Sequence, residues 1–271
     1  MREKARYIID TIDQLAHVTK GGKRAHAEGF NYKGKVRLNE RGKSLLGNCS
    51  EAIVRLSDTL PDKEHSTRFV PLKGMAIHFE STIPTNIVLI SFPYFPWNKA
   101  DFIVKLAQYC RAISKERDIR IKLNLLRYLL QIESLHKHLP KLIVNQPVIP
   151  SFKNKKYYNL HYLKHNEKGY IRFQTIIKDN IIELKAEIHD YAKSLDIITD
   201  DYVLVEIGTI ELTNPMQEVI ESFEVLQTGE YLKPLEDDEI IHLRSALYDI
   251  SHQRRVSEGI VYDNKKELEN F

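Results

Sequence analysis

Cysteine is scarce in this chain: among 271 residues only Cys49 and Cys110 carry a thiol, and no CxxC pair occurs. Two cysteines exclude a disulfide scaffold and a dithiol or zinc motif of that form, and they fit a reducing, cytoplasmic compartment. Long apolar runs are missing as well. The longest uncharged stretch, Ser81–Asn98, has 18 residues but holds three prolines, which makes it a poor membrane span. Residues Met1–Leu15 carry charge throughout and lack the apolar core of a secretory signal. No membrane partner is therefore expected. There is no G-x-S-x-G turn, no internal repeat and no heptad array. Arg41-Gly42-Lys43-Ser44 has the tail of a phosphate-binding loop, but Arg37 stands where its first glycine is required.

What is present is a folded chain's composition, with 42% hydrophobic and 28% charged residues, and a strong segregation of charge. Residues 1–178 hold 32 Lys+Arg against 15 Asp+Glu, whereas residues 179–250 hold 4 against 18. The overall balance of +3 hides this division. Asymmetry of this kind bears on partners more than on fold, and the polyanion with the densest charge is nucleic acid.

Periodicity predicts helices over Glu3–Ala16, Ser50–Thr59, the stretch after Asn98 containing Phe102, Leu106 and Cys110, Ile121–His136, a segment starting at Asn214-Pro215, and a last one from Glu236 to Arg255. Strands are predicted over Phe69–Phe79, Asn86–Phe92, Tyr170–Ile177 and Tyr202–Leu212, with a short one at Leu142–Val144. Ile181–Leu195 fits both periods; its length favours helix, while Asp179-Asn180 offers a hairpin turn. Lys20–Lys43, rich in glycine and cations, reads as a mobile arm. The fold class expected from this mixture is α+β, a mixed sheet with several packed amphipathic helices. Residues 1–60 form a basic helical N-terminal region with the arm at 20–43, and residues 61–271 an α+β domain with an acidic C-terminal third.

Two clusters interleave cations with rings, as phosphate contact and base stacking require. The first is Lys20, Lys23, Arg24, Phe30, Tyr32, Lys33, Lys35, Arg37, Arg41 and Lys43. The second contains Lys155, Lys156, Tyr157, Lys168, Tyr170 and Arg172. They point to a non-catalytic nucleic-acid-binding protein for DNA or RNA, without a cofactor, whose acidic third meets a protein partner. One alternative is a Mg²⁺-dependent nuclease. Glu183-Leu184-Lys185 has the E-x-K form of the PD-(D/E)XK nuclease group, and Asp179, Asp200, Asp201 and Glu206 are acids that would complete a metal site. The other is a scaffold that self-associates through opposite charges as a homo-oligomer. His161 and His165 stand i, i+4 and would share a face on a helix, but no Glu follows His161 as a zinc-protease motif requires.

Overall fold

The computed structural model describes every residue except 16–19, 25, 27–28, 59–72, 94, 96, 116–118, 133–150, 194–200, 218–219, 221 and 262–271. Ten strands are described: β1 (Gly29–Leu38), β2 (Glu51–Asp58), β3 (Lys73–Phe79), β4 (Thr85–Ile90), β5 (Lys156–Asn159), β6 (Leu163–His165), β7 (Gly169–Lys178), β8 (Ile181–His189), β9 (Val203–Met216) and β10 (Leu232–Pro234). The described helices are α1 (Arg2–Leu15), α2 (Glu40–Leu46), α3 (Ala100–Lys115), α4 (Ile119–Leu130) and α5 (Glu239–Glu258).

The strands pair antiparallel in the circuit β1-β2-β3-β4-β5-β7-β8-β9, and β9 returns to β1. Eight strands thus close into a barrel, while β6 and β10 extend outward from β7 as a short ribbon. This corrects the expected mixed-sheet α+β class. Closure removes sheet edges, and alternation on each strand sends one set of side chains inward. Val54, Leu56, Ile77, Phe79, Leu89, Phe173, Leu184 and Ile207 fill the interior. A second, smaller core joins α1, α3 and α5 through Ala5, Ile8, Ile9, Ala100, Leu243 and Ile250.

Several local readings change for identifiable reasons. Residues 51–58 form a strand, because Ala52, Val54 and Leu56 point inward by alternation between β1 and β3. The cationic arm at 20–43 instead carries β1 and α2, with Tyr32, Gly34 and Val36 on the inner side. Residues 181–189 form β8: Asp179, at φ 54, turns a two-residue hairpin that pairs Lys178 with Ile181. Pro215 starts no helix. It lies within β9 opposite Tyr32, beside a register shift that tolerates its missing donor. The expected strand at Leu142–Val144 lies outside the described residues.

Candidate functional site

A cavity of about 370 Å³ lies between the outer face of the barrel and the helical layer. Its barrel wall follows from strand alternation. Arg55 and Ser57 on β2, Gly74 and Ala76 on β3, and Val88 and Ile90 on β4 all point outward. Register places Arg55 beside Ala76 and Ser57 beside Gly74, then Ala76 beside Val88 and Gly74 beside Ile90. The middle of this wall is therefore made of the two smallest residues, and it is flat. A Cβ at Gly74 would lie 2.6 Å from Nδ1 of His26 and 2.7 Å from Oγ of Ser57, so only glycine fits there.

His26 stands over that wall. Its Nδ1 shares a hydrogen bond of 3.2 Å with Ser57 Oγ, and its carbonyl accepts one of 2.8 Å from Arg55 Nη2. Its backbone is left-handed, φ 53, a conformation that is sparsely populated outside glycine and gathers at functional positions. Desolvation, followed by the charges of Arg55 and Arg244, holds the imidazole pKa down to about 4. The ring is therefore neutral at physiological pH and competent as a base.

Helix α5 supplies the facing wall. Arg244, Tyr248, Ser251, His252 and Arg255 recur at intervals of three and four, which puts them on one helical face along the cavity. Tyr248 is half-buried, and no described residue bonds its hydroxyl. Arg244, one turn before it, is held from behind. Its Nη1 donates to Nε2 of His161 at 2.7 Å, and Nδ1 of His161 donates to Oδ2 of Asp238 at 2.7 Å. Because a guanidinium only donates, this chain of bonds fixes the tautomer of His161 with its proton on Nδ1. Asp238 caps α5 through its other oxygen, accepting from the amides of Ile240 and Ile241. Burial would raise the Asp238 pKa, but the bonds from His161 and the two amides bring it below the usual value.

His161 itself is pushed down to about 4, first by burial, with Asp238 opposing and Arg244 and Arg172 reinforcing. Between its ordinary value of 6.5 and that value, the unfolded chain binds a proton that the folded one refuses. Stability is therefore complete above that window and falls as pH drops through it, by an amount on the order of 3 kcal/mol for this one group. Urea unfolding at pH 7 and pH 4.5 reads this directly. A His161→Gln variant should reduce the dependence, the remainder belonging to His26, whose pKa is held down to the same value, and an unchanged slope would contradict the assignment.

The cations near the cavity are tied down. Arg24 is buried between Asp13 (3.0 Å) and Glu258 (2.5 Å), and Glu258 also accepts from the Gly21 amide. Arg254 bonds Asp10 and Asp13, which fastens α5 to α1. Arg255 donates to the carbonyls of Gly21 and Val261.

The residues read from the sequence as a polyanion surface are dispersed. Tyr32 and Tyr157 are barrel core, and Phe30 packs edge-on to Phe152. Lys155 and Arg172 are buried, the latter bonded to the carbonyls of Asn159 and Pro93 and 3.7 Å from Glu187. Lys23 lies over the Phe223 ring at the cavity, and Lys168 bonds Ser44. Tyr170 is half-buried on β7. Lys20, Lys33, Lys35, Arg37, Arg41, Lys43 and Lys156 are exposed; Arg37 is 3.7 Å from Glu211, and Lys43 pairs with Glu40.

Of the nuclease candidates, Glu183 and Lys185 do share one side of a strand, but Glu183 pairs with Lys178 at 2.7 Å and Lys185 approaches Glu206 at 3.8 Å. Asp179 sits in the hairpin turn, Asp201 bonds Lys193, and Asp200 lies outside the described residues. Among the described residues no three His, Cys, Asp or Glu side chains gather as a metal group. His161 and His165 lie between strands and on β6, not on a helix. Sequence reasoning missed His26, Asp238, Arg244 and Tyr248. The available signal was the polar series 244, 248, 252 on an otherwise packed face of the last helix.

No family model matches this sequence, and no curated protein matches it. Solved structures do. The chain resembles a fungal catalase with a TM-score of 0.68 at 16% identity, covering 87% of this chain and 59% of that one. It also resembles a bacterial catalase with a TM-score of 0.66 at 14% identity, covering 92% of this chain and 60% of that one. The fold is thus the catalase-like barrel, and the chain spans about three-fifths of the length of these catalases.

Proposed function

We propose that this chain binds haem in the cavity between the barrel and α5 and turns over a peroxide there. The observation that carries the reading is the pairing of two groups on opposite walls of one flat-sided cavity: the Tyr248 hydroxyl, without a partner among the described residues, and the neutral His26. The donor set fits the group. A tyrosine oxygen is one of the few protein ligands of haem iron, and it is the one used in catalases. A phenolate needs a balancing cation, and Arg244, braced by His161 and Asp238, stands one turn away. Haem is flat and apolar on its faces. The Gly74–Ala76 wall, with Val88, Ile90 and Leu247, presents matching surfaces. Its two carboxylates need cations, and Arg24, Arg55 and Arg255 line the same cavity, held in place by Asp13, Glu258 and the carbonyls of His26 and Gly21.

Bound there, haem would supply a redox iron able to cleave the O–O bond of a peroxide. The chain's own part is proton handling and exclusion of water. His26, unprotonated above about pH 4, would hold and move the proton of a peroxide brought into the cavity. Ser57 fixes the ring through Nδ1. The apolar side chains around it keep the site dry, which strengthens each polar contact. The test is peroxide consumption by haem-loaded protein against an equal concentration of free haem. A rate at least 100-fold above free haem is expected, on the order that a positioned base contributes. Equal rates would overturn the reading.

A second reading retains nucleic-acid binding. It is favoured by Lys33, Lys35 and Arg37, which stand exposed at alternate positions on the outer side of β1. The triple alanine variant should then lower the slope of log affinity against log salt by about 2–3, one unit for each phosphate that is no longer neutralised. Absence of affinity for DNA and RNA at low salt would end that reading.

A further inference from the structure

We propose that α4 is a docking helix for anionic lipid surfaces. Ile119, Leu123, Leu126 and Leu130 follow one another at intervals of four, three and four and form a single stripe along the helix. Their exposures are 64%, 48%, 52% and 55%. The opposite side is the packed one. Tyr128 is buried and its hydroxyl donates to the Phe102 carbonyl at 2.6 Å, while Ile121, Leu125 and Leu129 are partly buried with it. Four exposed aliphatic side chains on a 12-residue helix form a patch that a soluble surface rarely shows without a binding role.

Charge identifies the occupant. Arg120, Lys122 and Arg127 are exposed, Arg120 and Arg127 along one margin of the stripe and Lys122 along the other, and α4 contains no acidic residue. A second copy of this chain would bring like charge against like charge, which disfavours a symmetric pairing through this face. An aliphatic stripe with cationic margins is the pattern of a helix lying in a lipid interface, where Lys and Arg reach the phosphates as the stripe enters the acyl boundary. At 1.5 Å per residue α4 is too short to cross a bilayer, and no described helix is long and apolar enough to do so. The helix lies on the surface, and its inner side rests on α3, which contributes Ile103 to the cavity.

The test is sedimentation of the full chain with phosphatidylcholine vesicles, with and without 30% phosphatidylglycerol, in 50 and 500 mM salt. We expect binding to the anionic vesicles at low salt, at least tenfold weaker on neutral vesicles, and weakened likewise by high salt. Leu123→Asp with Leu126→Asp should abolish it, while Lys122→Glu with Arg127→Glu should remove the preference for anionic lipid. Circular dichroism confirms that each variant is folded; the comparison of vesicle types and salts needs no variant. Equal binding to both vesicle types, or none to either, would overturn the proposal. So would a dimer in light scattering that Leu126→Asp converts to monomer, which would give the face to a second copy.

Discussion

The Tyr248→Phe protein is expected to fold as its parent does and to lose haem. The hydroxyl has no partner in the described structure, so removing it should alter stability by less than about 1 kcal/mol. The same oxygen lies on the cavity wall one turn from Arg244, the cation that His161 and Asp238 hold in place. Removing it should weaken haem affinity by about 100-fold, the upper end for changes at a metal site, and displace the charge-transfer bands of a phenolate-bound ferric haem. The spectrum matters as much as the affinity, because an apolar cavity alone would hold haem loosely without those bands. A Tyr248→Phe protein with the parent's spectrum would remove Tyr248 from the site.

The second large effect is at His26. Asn is the substitution to choose, because it tolerates the left-handed backbone that His26 adopts at φ 53. His26→Asn should leave haem binding within a few-fold of the parent and reduce peroxide turnover by about 10²–10⁴, the range for removal of a general base. The parent's pH profile carries the same information. With its pKa held down to about 4, His26 is the competent neutral base through neutral and mildly acid pH, and turnover should fall as pH drops through that value. Unfolding linked to His161 occupies the same region, so circular dichroism must accompany the rates. Turnover unchanged in His26→Asn would show that the imidazole takes no part.

Much of the helical layer was legible in the sequence. The stripe Ile8, Ile9 and Ile12 marked α1, and Asn98 with the following apolar series marked α3, because long amphipathic periods are hard to mistake. The barrel was not. Four of its strands, over 73–79, 85–90, 169–178 and 203–216, fall where strands are expected, but 51–58 reads as a helix and Ile181–Leu195 fits both periods, so only pairing with neighbours decides those two. Closure is a long-range property, fixed by β9 returning to β1 across about 170 residues of chain, and no local pattern encodes it. Which cations are buried was not legible either. Arg24 and Arg172 look like surface cations in one dimension, but Asp13 and Glu258 neutralise the first, and carbonyls with Glu187 accommodate the second. Acids from the C-terminal third, such as Glu258, Glu211 and Asp249, do pair with bases of the N-terminal part. The site itself draws on residues 26, 57, 161, 238, 244 and 248, which come together only when the barrel has closed and α5 has docked.

Haemin titration of the purified chain, followed by the Soret band and by intrinsic quenching, decides whether the cavity takes haem. Saturation is expected at one haem per chain with a phenolate-type ferric spectrum. A rise in melting temperature that grows with free haem is expected with it, as linkage requires. Haem uptake that does not saturate, or that saturates without moving the melting temperature, would mean that the cavity between the barrel and α5 is not a haem site.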